Sequence, residues 1–483
     1  MEGQVSYAII AAMQGKARDR KFVGVVFVVA LVLRLVPVLL SGGMGIALDD
    51  MFQYDALAES IRHGEGYTWY GGIPTAARAP LYPLFLAMIY TLFGHRFLAA
   101  RIVQAIVGSV VPVVTYYLGR RIFEGRASEI AAWLVALYPI LLFYPLGLVT
   151  ENLVFVLLPL SVWCLLKAGD VSRRSYYLLS GFLLGLAIIT RSVISGFVLL
   201  ILPWLLYYAS DRRQALGNWV LMVLSVGVLT VPWSIRNSVL YGEFVFVESS
   251  LGFNFYLGYH PEGTGTFDSD IAVEFIEEIG GFDTPDLETE KLSHNLGMER
   301  GIEFIRQDPL RAVQLLLSKA SHFLRLDKRA VLYFYSNNFL GELPPVVLLL
   351  LLLVLCLPWV VMLLLSLVGM VFSNLTRDKT LVYLLLFYFV GIHMLIMAEP
   401  RFHLALVPFL AIFAAQGAIG LPQLRDDLWA RDAEVRRATR WRLAVCVAVA
   451  ALLVLNWVYE LNVDMEKLRV MFAPGGNVAR FTY

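Results

Sequence analysis

Charged residues are scarce in this sequence of 483 residues. Only 16% of the residues are Asp, Glu, Lys or Arg, whereas soluble globular domains carry about 25%. Hydrophobic residues make up 59%, and the mean hydropathy is +0.69. These values exclude a soluble globular protein and indicate a polytopic membrane protein. The formal net charge of +1 gives no sign of nucleic-acid binding.

Cysteine is also rare. Cys164, Cys356 and Cys446 all lie in apolar stretches and lack metal-ligand spacing, so they are interpreted as packing residues rather than disulfides or zinc ligands. The histidines form no spaced ligand set either, which disfavours a histidine-based zinc site. The sequence contains no Gly-rich nucleotide fingerprint and no cytoplasmic domain, so a soluble nucleotide-sugar site is not expected. No internal repeat is evident, which argues against a secondary transporter.

What the sequence does contain is a series of long apolar runs. A helix needs about 20 apolar residues to cross a bilayer, and about eleven segments qualify as spans. They are 22–40, 99–119, 128–147, 152–167, 175–190, 193–209, 217–233, 344–372, 380–397, 402–420 and 442–459. The shorter, proline-rich run 80–94 is interpreted as an interfacial or re-entrant segment. The basic cluster before the first span predicts a retained signal-anchor.

The basic residues predict the orientation of these spans. With the N-terminus inside, one set of loops carries nearly all of them, as the positive-inside rule requires: Arg120, Arg121, Arg126, Lys167, Arg173, Arg174, Arg212, Arg213, Arg377, Lys379 and the run from Arg425 to Arg442. The short loops of the opposite face hold only Arg191 and Arg401. We therefore expect a cytoplasmic N-terminus and an extracytoplasmic C-terminus.

This orientation gives a domain organisation with two large extracytoplasmic loops. In the second loop, the stretch Phe244 to Tyr259 resembles strands, and the later part has helical periodicity with Leu310, Val313, Leu316, Leu317 and Ala320 on one face. The predicted fold class is an all-α polytopic membrane protein with a small mixed α/β loop domain on the outer face. The predicted parts are a cytoplasmic N-terminus (1–21), a transmembrane module (22–233) with the first outer loop at 41–98, an extracytoplasmic loop domain (234–343), C-terminal transmembrane helices (344–459) and an extracytoplasmic tail (460–483).

The unusual polar residues gather on this outer face. Asp49 and Asp50 follow the first span, and ionisable residues at such a place indicate function, although a solvated pair of acids at a helix end is the simpler alternative. The face also carries Asp55, Glu151, Arg78, Arg191, Arg236 and Arg401. Arginine binds phosphate oxygens in a planar, bidentate manner, and carboxylates act as general bases or hold a divalent cation. This combination at a membrane surface favours a substrate that is part lipid and part phosphate.

Five segments resemble a known family in order along the chain. They are Asp50-Met51-Phe52-Gln53-Tyr54 with Ala58 and Gly64–Tyr67; Arg78-Ala79-Pro80-Leu81-Tyr82-Pro83; Thr150-Glu151-Asn152-Leu153; Pro232–Asn237 with Gly252-Phe253-Asn254 and Gly258-Tyr259-His260; and Glu399-Pro400-Arg401-Phe402-His403 with Pro408-Phe409. With these segments the chain resembles the GT-C-fold, polyprenyl-phosphate-dependent glycosyltransferases of the protein O-mannosyltransferase and lipid A aminoarabinose-transferase type.

The resemblance implies roles for individual residues. Asp50 matches the catalytic acid, and Asp49 becomes a neighbour that tunes its pKa or shares a cation. The implied contacts to the phosphate or sugar of the donor are Arg78, Tyr82, Glu151, Arg236, Asn254, His260 and Arg401. Asp49, Asp50 and Glu151 are the candidate ligands of a divalent cation such as Mg²⁺ or Mn²⁺. The alternatives are that Arg236 and Asn237 cap the seventh span, that Arg401 pairs with Glu399, and that the aromatic residues belong to an interfacial belt.

The expected activity is inverting transfer of one sugar from a polyprenyl-phosphate donor. The acceptor is a lipid, a glycan or a protein, the chain contacts membrane lipids, and a prokaryotic inner membrane is the expected location. Three other functions stay open. These are transfer of a whole oligosaccharide from a lipid pyrophosphate, transport or flipping of a lipid or solute, and a scaffold role without catalysis.

Overall fold

Helices make up nearly all of the regular structure. The computed structural model describes residues 2–46, 49–69, 71–171, 173–280, 286–326, 328 and 343–473, with the backbone alone for residues 2–16, 49, 170 and 171. The helices of the first part of the chain are α1 (Glu2–Leu40), α2 (Asp49–His63), α3 (Leu81–Phe93), α4 (Phe97–Gly108), α5 (Val111–Ile122), α6 (Ala127–Ala136), α7 (Pro139–Phe143), α8 (Glu151–Val171), α9 (Arg174–Ile188) and α10 (Ser195–Tyr208).

The second part continues this pattern. Its helices are α11 (Arg212–Tyr241), α12 (Leu251–Tyr259), α13 (Ser269–Glu278), α14 (Leu287–Gln307), α15 (Pro309–Phe323), α16 (Pro345–Val371), α17 (Arg377–Leu395), α18 (Val407–Leu428), α19 (Ala433–Val463) and α20 (Met465–Phe472). Three short 3₁₀ helices occupy Tyr144–Leu146, Ser192–Ile194 and Pro400–Leu406. Several helices begin at a side-chain cap: Asp211, Asp268, Asp286, Asp308, Thr376 and Asp432 each accept hydrogen bonds from backbone amides of the first turn.

The long apolar helices confirm a polytopic membrane fold. Within the described ranges, eight helices are long and apolar enough to cross a membrane, and the bent pair Ala127–Ala136 and Pro139–Leu146 makes a ninth candidate. The spans expected at 175–190 and 193–209 fall on the shorter apolar helices Arg174–Ile188 and Ser192–Tyr208. The segment expected at the interface is the short helix α3. The total of eleven crossings stays a prediction.

Two spans form the centre of the bundle. For both Glu151–Gly169 and Pro400–Leu428, 72% of the apolar window is buried inside the protein, against 22% for Arg212–Tyr241 and Ala433–Val463. Helix α18 crosses α16 where Gly369 faces Gly417, and a side chain at either position would overlap the backbone of the other helix. The central spans carry Glu151 and Arg401 near their ends, so the most buried spans of the described part of the chain position these two side chains.

Among the described residues, strands occur only in a small hairpin of the loop predicted at 41–98. Strands β1 (Thr68–Trp69) and β2 (Ile73–Pro74) are antiparallel, with Thr68 opposite Pro74 and Trp69 opposite Ile73. Gly71 and Gly72 form the turn with φ of +86° and +78°, values that glycine adopts without strain.

The strand interpretation of Phe244 to Tyr259 is wrong. Its second half is helix α12, and the described residues of the loop domain contain no strand. Gly252 of α12 lies directly against the backbone of His294 and Gly297 in α14. The close packing of α12 against α14 stabilises the segment as a helix. It therefore outweighs the preference of the aromatic residues for strands.

The helix expected in the second half of the loop domain is present as α15. The residues that it buries include Ala312, Leu315 and Lys319. Leu310, Val313 and Leu317, which belong to the apolar face predicted from the sequence, are exposed instead. The limits of the predicted domains stay a prediction.

Candidate active site

Asp50 lies at the meeting point of two arginines from distant parts of the chain. It occupies the first turn of α2. Its Oδ1 accepts a hydrogen bond from Nη2 of Arg78 at 2.9 Å, and its Oδ2 accepts one from Nη1 of Arg401 at 3.0 Å. Arg78 follows strand β2, and Arg401 lies in the 3₁₀ helix after α17. The side chain of Asp49 lies outside the described residues, so its predicted role stays a prediction.

Arg401 links Asp50 to two further acids. Its Nε lies 2.7 Å from Oε2 of Glu399 and 3.9 Å from Oε1 of Glu151. The carboxylates of Glu399 and Glu151 are 6% and 4% exposed, so little water screens these ion pairs. The pairing of Arg401 with Glu399, which was an alternative to a binding role, is therefore present together with its contact to Asp50.

A fifth ion pair joins Arg191 to the cluster. Arg191 donates from Nη1 to Oε1 of Glu151 at 2.7 Å, and its guanidinium lies 4.6 Å from the centre of the Phe402 ring. Glu151 is the first residue of α8, where the positive end of the helix dipole favours a carboxylate. The acid–arginine cluster thus comprises Asp50, Glu151 and Glu399 with Arg78, Arg191 and Arg401, and its formal charges cancel.

Around Arg78 the site has a polar and aromatic lining. Its Nε donates to Oε1 of Gln53 at 2.6 Å, and its guanidinium lies 5.9 Å from the centre of the Tyr54 ring. Burial acts to lower the pKa of Arg78, but Asp50 and, to a smaller extent, Tyr54 and Glu248 raise it above its ordinary value. Burial also raises the pKa of Tyr54. Arg78 therefore stays charged and Tyr54 stays neutral.

Sequence reasoning gave no binding role to several residues in and around this cluster. Gln53 stands in the first family-like segment and Glu399 in the fifth, so those segments contained a signal for both. Arg191 was recognised only as an arginine of the outer face. Glu248, which accepts a hydrogen bond from Ser192 Oγ at 2.5 Å, lies in a segment without a motif.

Arg236 has different surroundings from the other arginines. It donates to the backbone carbonyls of Thr75 and Tyr67 and packs 5.0 Å from the centre of the Trp233 ring. These contacts anchor the first outer loop to α11 rather than placing Arg236 in the cluster. The alternative of a helix cap is wrong, because α11 continues to Tyr241.

Three other predicted residues lie around the cluster or farther along the loop domain. Tyr82 is buried, donates to Gln104 Oε1 at 2.5 Å and packs edge-to-face on Tyr54. Asn254 lies half-buried in α12. His260 follows α12 with its ring 5.5 Å from that of Phe304, and burial lowers its pKa. Their predicted contacts to the donor stay predictions.

The cluster does not fit a metal ion bridging Asp50 and Glu151. The guanidinium of Arg401 lies between these two carboxylates, 3.0 Å from one and 3.9 Å from the other. Over the part of the chain that the structure describes, no three His, Cys, Asp or Glu side chains are grouped to hold a metal ion. A divalent cation at Asp49 and Asp50 stays a prediction.

A family comparison matches one third of the chain. Residues 77–235 match the model for dolichyl-phosphate-mannose-protein mannosyltransferases. This range includes Arg78, Glu151 and Arg191. No curated protein shows significant similarity in sequence.

The solved structure of an archaeal protein has a similar fold. The archaeal oligosaccharyltransferase AglB from Archaeoglobus fulgidus, in complex with an inhibitory peptide and a dolichol-phosphate, superposes with a TM-score of 0.51 at 14% identity. The alignment covers 92% of this chain but only 55% of that enzyme, so this chain spans about half the length of the archaeal protein. ArnT from Cupriavidus metallidurans, bound to undecaprenyl phosphate, is 19% identical, with a TM-score of 0.40 and coverage of 84% of this chain and 79% of ArnT.

The family match and the fold agree with the resemblance found in the sequence motifs. Over residues 77–235 the chain is similar to the dolichyl-phosphate-mannose-protein mannosyltransferases, and its fold is similar to that of the archaeal oligosaccharyltransferase.

Proposed function

We propose that this protein is a glycosyltransferase that moves a single sugar from a polyprenyl-phosphate donor to an acceptor at the extracytoplasmic face of the membrane. The acceptor is a lipid, a glycan or a protein. The single observation that carries the proposal is the placement of Asp50 between Arg78 and Arg401. A base and two phosphate-binding groups then meet at one point near the ends of the central spans.

The reaction needs one proton transfer and one bond exchange. The acceptor hydroxyl or amine attacks the anomeric carbon of the donor and gives its proton to the Asp50 carboxylate. The bond between the anomeric carbon and the phosphate oxygen breaks, and polyprenyl phosphate leaves with one more negative charge than it carried in the donor. Attack from the face opposite the phosphate inverts the anomeric configuration. A positioned general base contributes roughly 10²–10⁴-fold to such a step.

The arginines stabilise the charge that develops on the leaving group. Arg78 and Arg401 supply N–H donors toward the phosphate oxygens, and donors fixed in advance cost no reorganisation at the moment of reaction. Glu399 and Glu151 hold Arg401 in place, and Arg191 in turn neutralises Glu151. The prenyl chain lies among the lipid-facing surfaces of the spans.

The orientation predicted from the basic residues supports an extracytoplasmic site. The clustered basic loops are expected in the cytoplasm by the positive-inside rule. Two residues of these loops form ion pairs away from the cluster, Arg120 with Asp19 at 3.3 Å and Arg121 with Asp378 at 2.9 Å. The proposed location is a prokaryotic inner membrane with a cytoplasmic N-terminus.

A second candidate is transfer of an oligosaccharide from a lipid pyrophosphate. The likeness in fold to the archaeal oligosaccharyltransferase favours it. We prefer transfer of a single sugar, because the loop domain predicted at residues 234–343 is small for binding the acceptor of a large glycan.

The test is incubation of the purified full-length protein with a panel of polyprenyl-phosphate and polyprenyl-pyrophosphate sugars. We expect free polyprenyl phosphate to be released from a monophosphate donor when a suitable acceptor extract is present. Release of polyprenyl pyrophosphate alone favours the second candidate. If neither polyprenyl phosphate nor polyprenyl pyrophosphate is released from any donor, both candidate functions are contradicted.

A further inference from the structure

The Asp50 carboxylate is held in the way that a phosphate group would be held. Each of its oxygens accepts a hydrogen bond from a different guanidinium, Arg78 at 2.9 Å and Arg401 at 3.0 Å. Carboxylates and phosphates present pairs of oxygens of similar spacing to arginine, and this is why arginine binds both groups. The two N–H groups that would take two phosphate oxygens therefore already bind an anionic group from the protein itself.

We propose that Asp50 is an internal occupant of the donor phosphate site, and that the phosphate of the lipid carrier displaces it from Arg78 and Arg401. This inference rests on the proposed function. The ligand is a phosphate with at least two unesterified oxygens, which describes both the donor diester and the product monoester. Binding exchanges two carboxylate hydrogen bonds for two phosphate hydrogen bonds, and the base is released in the same event.

The arginines keep their positions when Asp50 leaves. Arg78 remains bound through Nε to Gln53 and packed beside the Tyr54 ring. Arg401 remains paired through Nε with Glu399. Both guanidiniums therefore stay aimed at the same point, and the phosphate meets donors that are already oriented.

Asp50 is less enclosed than Arg401. It lies in the first turn of α2 and its side chain is 22% exposed, whereas that of Arg401 is 15% exposed. The side chain of Arg78 is 24% exposed, but its hydrogen bond to Gln53 holds it independently of Asp50. Once displaced, the carboxylate lies next to a bound phosphate. A nearby like charge favours the protonated form of an acid, so Asp50 becomes a stronger base when the donor is present. The acceptor is then activated only after the donor has bound.

If the phosphate displaces Asp50 from the arginines, Asp50→Asn should bind polyprenyl phosphate more tightly than wild type, although it should lose catalysis. In wild-type protein only the fraction of molecules in which Asp50 has left the arginines can bind the phosphate. The apparent affinity is therefore the intrinsic affinity multiplied by that fraction. If this fraction is about one tenth, Asp50→Asn tightens binding of polyprenyl phosphate about tenfold. The measurement is a titration of the full-length protein in detergent with polyprenyl phosphate, read out by competition with a fluorescent analogue.

Two matched variants separate displacement from a general effect of charge. Glu399→Gln removes the same charge beside the same guanidinium, but on Nε rather than Nη1, so it should not tighten binding. Asp55 lies in α2, like Asp50, but accepts hydrogen bonds from Tyr90 and His95. The Asp55→Asn variant should therefore bind polyprenyl phosphate with the affinity of wild type. Equal tightening by Glu399→Gln, or unchanged or weaker binding by Asp50→Asn, overturns the proposal.

The outcome is independent of the fate of the proposed reaction. If Asp50→Asn abolishes sugar transfer without tightening phosphate binding, the function stands and the exchange fails. If Asp50→Asn tightens binding while wild type releases no polyprenyl phosphate from any donor, the exchange stands and the proposed donor class fails. Folding of each variant is checked by its melting temperature, and Asp50→Ser, which removes the same charge, is interpreted in the same way if the Asn variant does not fold.

Discussion

Asp50 accepts a hydrogen bond from Arg401 at 3.0 Å, although 351 positions separate the two residues in the chain. The contact joins the first outer loop to the start of the span that ends in α18. A site built from such distant segments forms only when the whole bundle has folded.

Arg401→Lys should lower sugar transfer by about 10²-fold, the scale of losing one oriented donor in an active site. Arginine contacts Asp50 through Nη1 and Glu399 through Nε at the same time, and a single ammonium group cannot reproduce this fork. The rate of polyprenyl phosphate release measures the effect. Arg425→Lys, at a site where the side chain is 78% exposed, is the control and should be as active as wild type.

Glu151→Gln should destabilise the protein by about 2–4 kcal/mol, because removing one partner of a buried ion pair leaves an uncompensated charge. The unpaired charge is that of Arg191, and the double variant Glu151→Gln with Arg191→Gln should recover part of the loss. Melting temperatures in detergent measure both effects. The control is Glu129→Gln, which breaks an exposed pair with Arg18 and should cost little. Equal losses of stability for Glu151→Gln and Glu129→Gln would contradict the role of the buried ion pair between Glu151 and Arg191.

Lys319 should make stability depend on pH. Burial lowers its pKa to about 7 from 10.5. Between these values the unfolded chain binds a proton that the folded protein does not, so this lysine makes stability rise as the pH increases. Lys319→Met should melt at a higher temperature than wild type at pH 7, and the difference should shrink toward pH 9.5. Lys467→Met, at an exposed position, should show no such trend, and a constant difference for Lys319→Met would disprove the effect.

Glu290→Ala should loosen the contact between the loop domain and the first outer loop. Its carboxylate accepts hydrogen bonds from Trp69 at 2.5 Å, Thr75 at 2.6 Å and Tyr241 at 2.7 Å. Leaving these donors unsatisfied should cost about 2–4 kcal/mol after partial hydration. The melting temperature and the rate of proteolysis in the loops measure the loss. Glu288→Ala, whose side chain is 81% exposed, should behave like wild type.

Much of the fold could be predicted from the sequence, because a run of about 20 apolar residues is itself the signal of a membrane-spanning helix. The segment 152–167 needed no knowledge of its neighbours to be recognised as a span. Phe244 to Tyr259 was misread because its conformation depends on packing between Gly252 and Gly297. That contact joins segments far apart in sequence, and no local pattern encodes it.

The candidate site could also be predicted only in part. The sequence motifs indicated Asp50, Arg78, Glu151 and Arg401 one by one, since each stands in a family-like segment. They could not indicate that Arg401 lies between Asp50 and Glu151, two of the candidate ligands of a divalent cation. They also could not separate Arg236, which anchors a loop through backbone carbonyls, from the arginines of the cluster. Pairing of charges is a property of three-dimensional packing.

The most direct test of the central claim is the rate at which wild type, Asp50→Asn and Asp55→Asn release polyprenyl phosphate from the same lipid-linked sugar and acceptor. The account predicts that Asp50→Asn loses about 10²–10⁴-fold in rate while it melts as a folded protein, and that Asp55→Asn retains transfer. Release by Asp50→Asn at a rate near that of wild type would show that Asp50 is not the base.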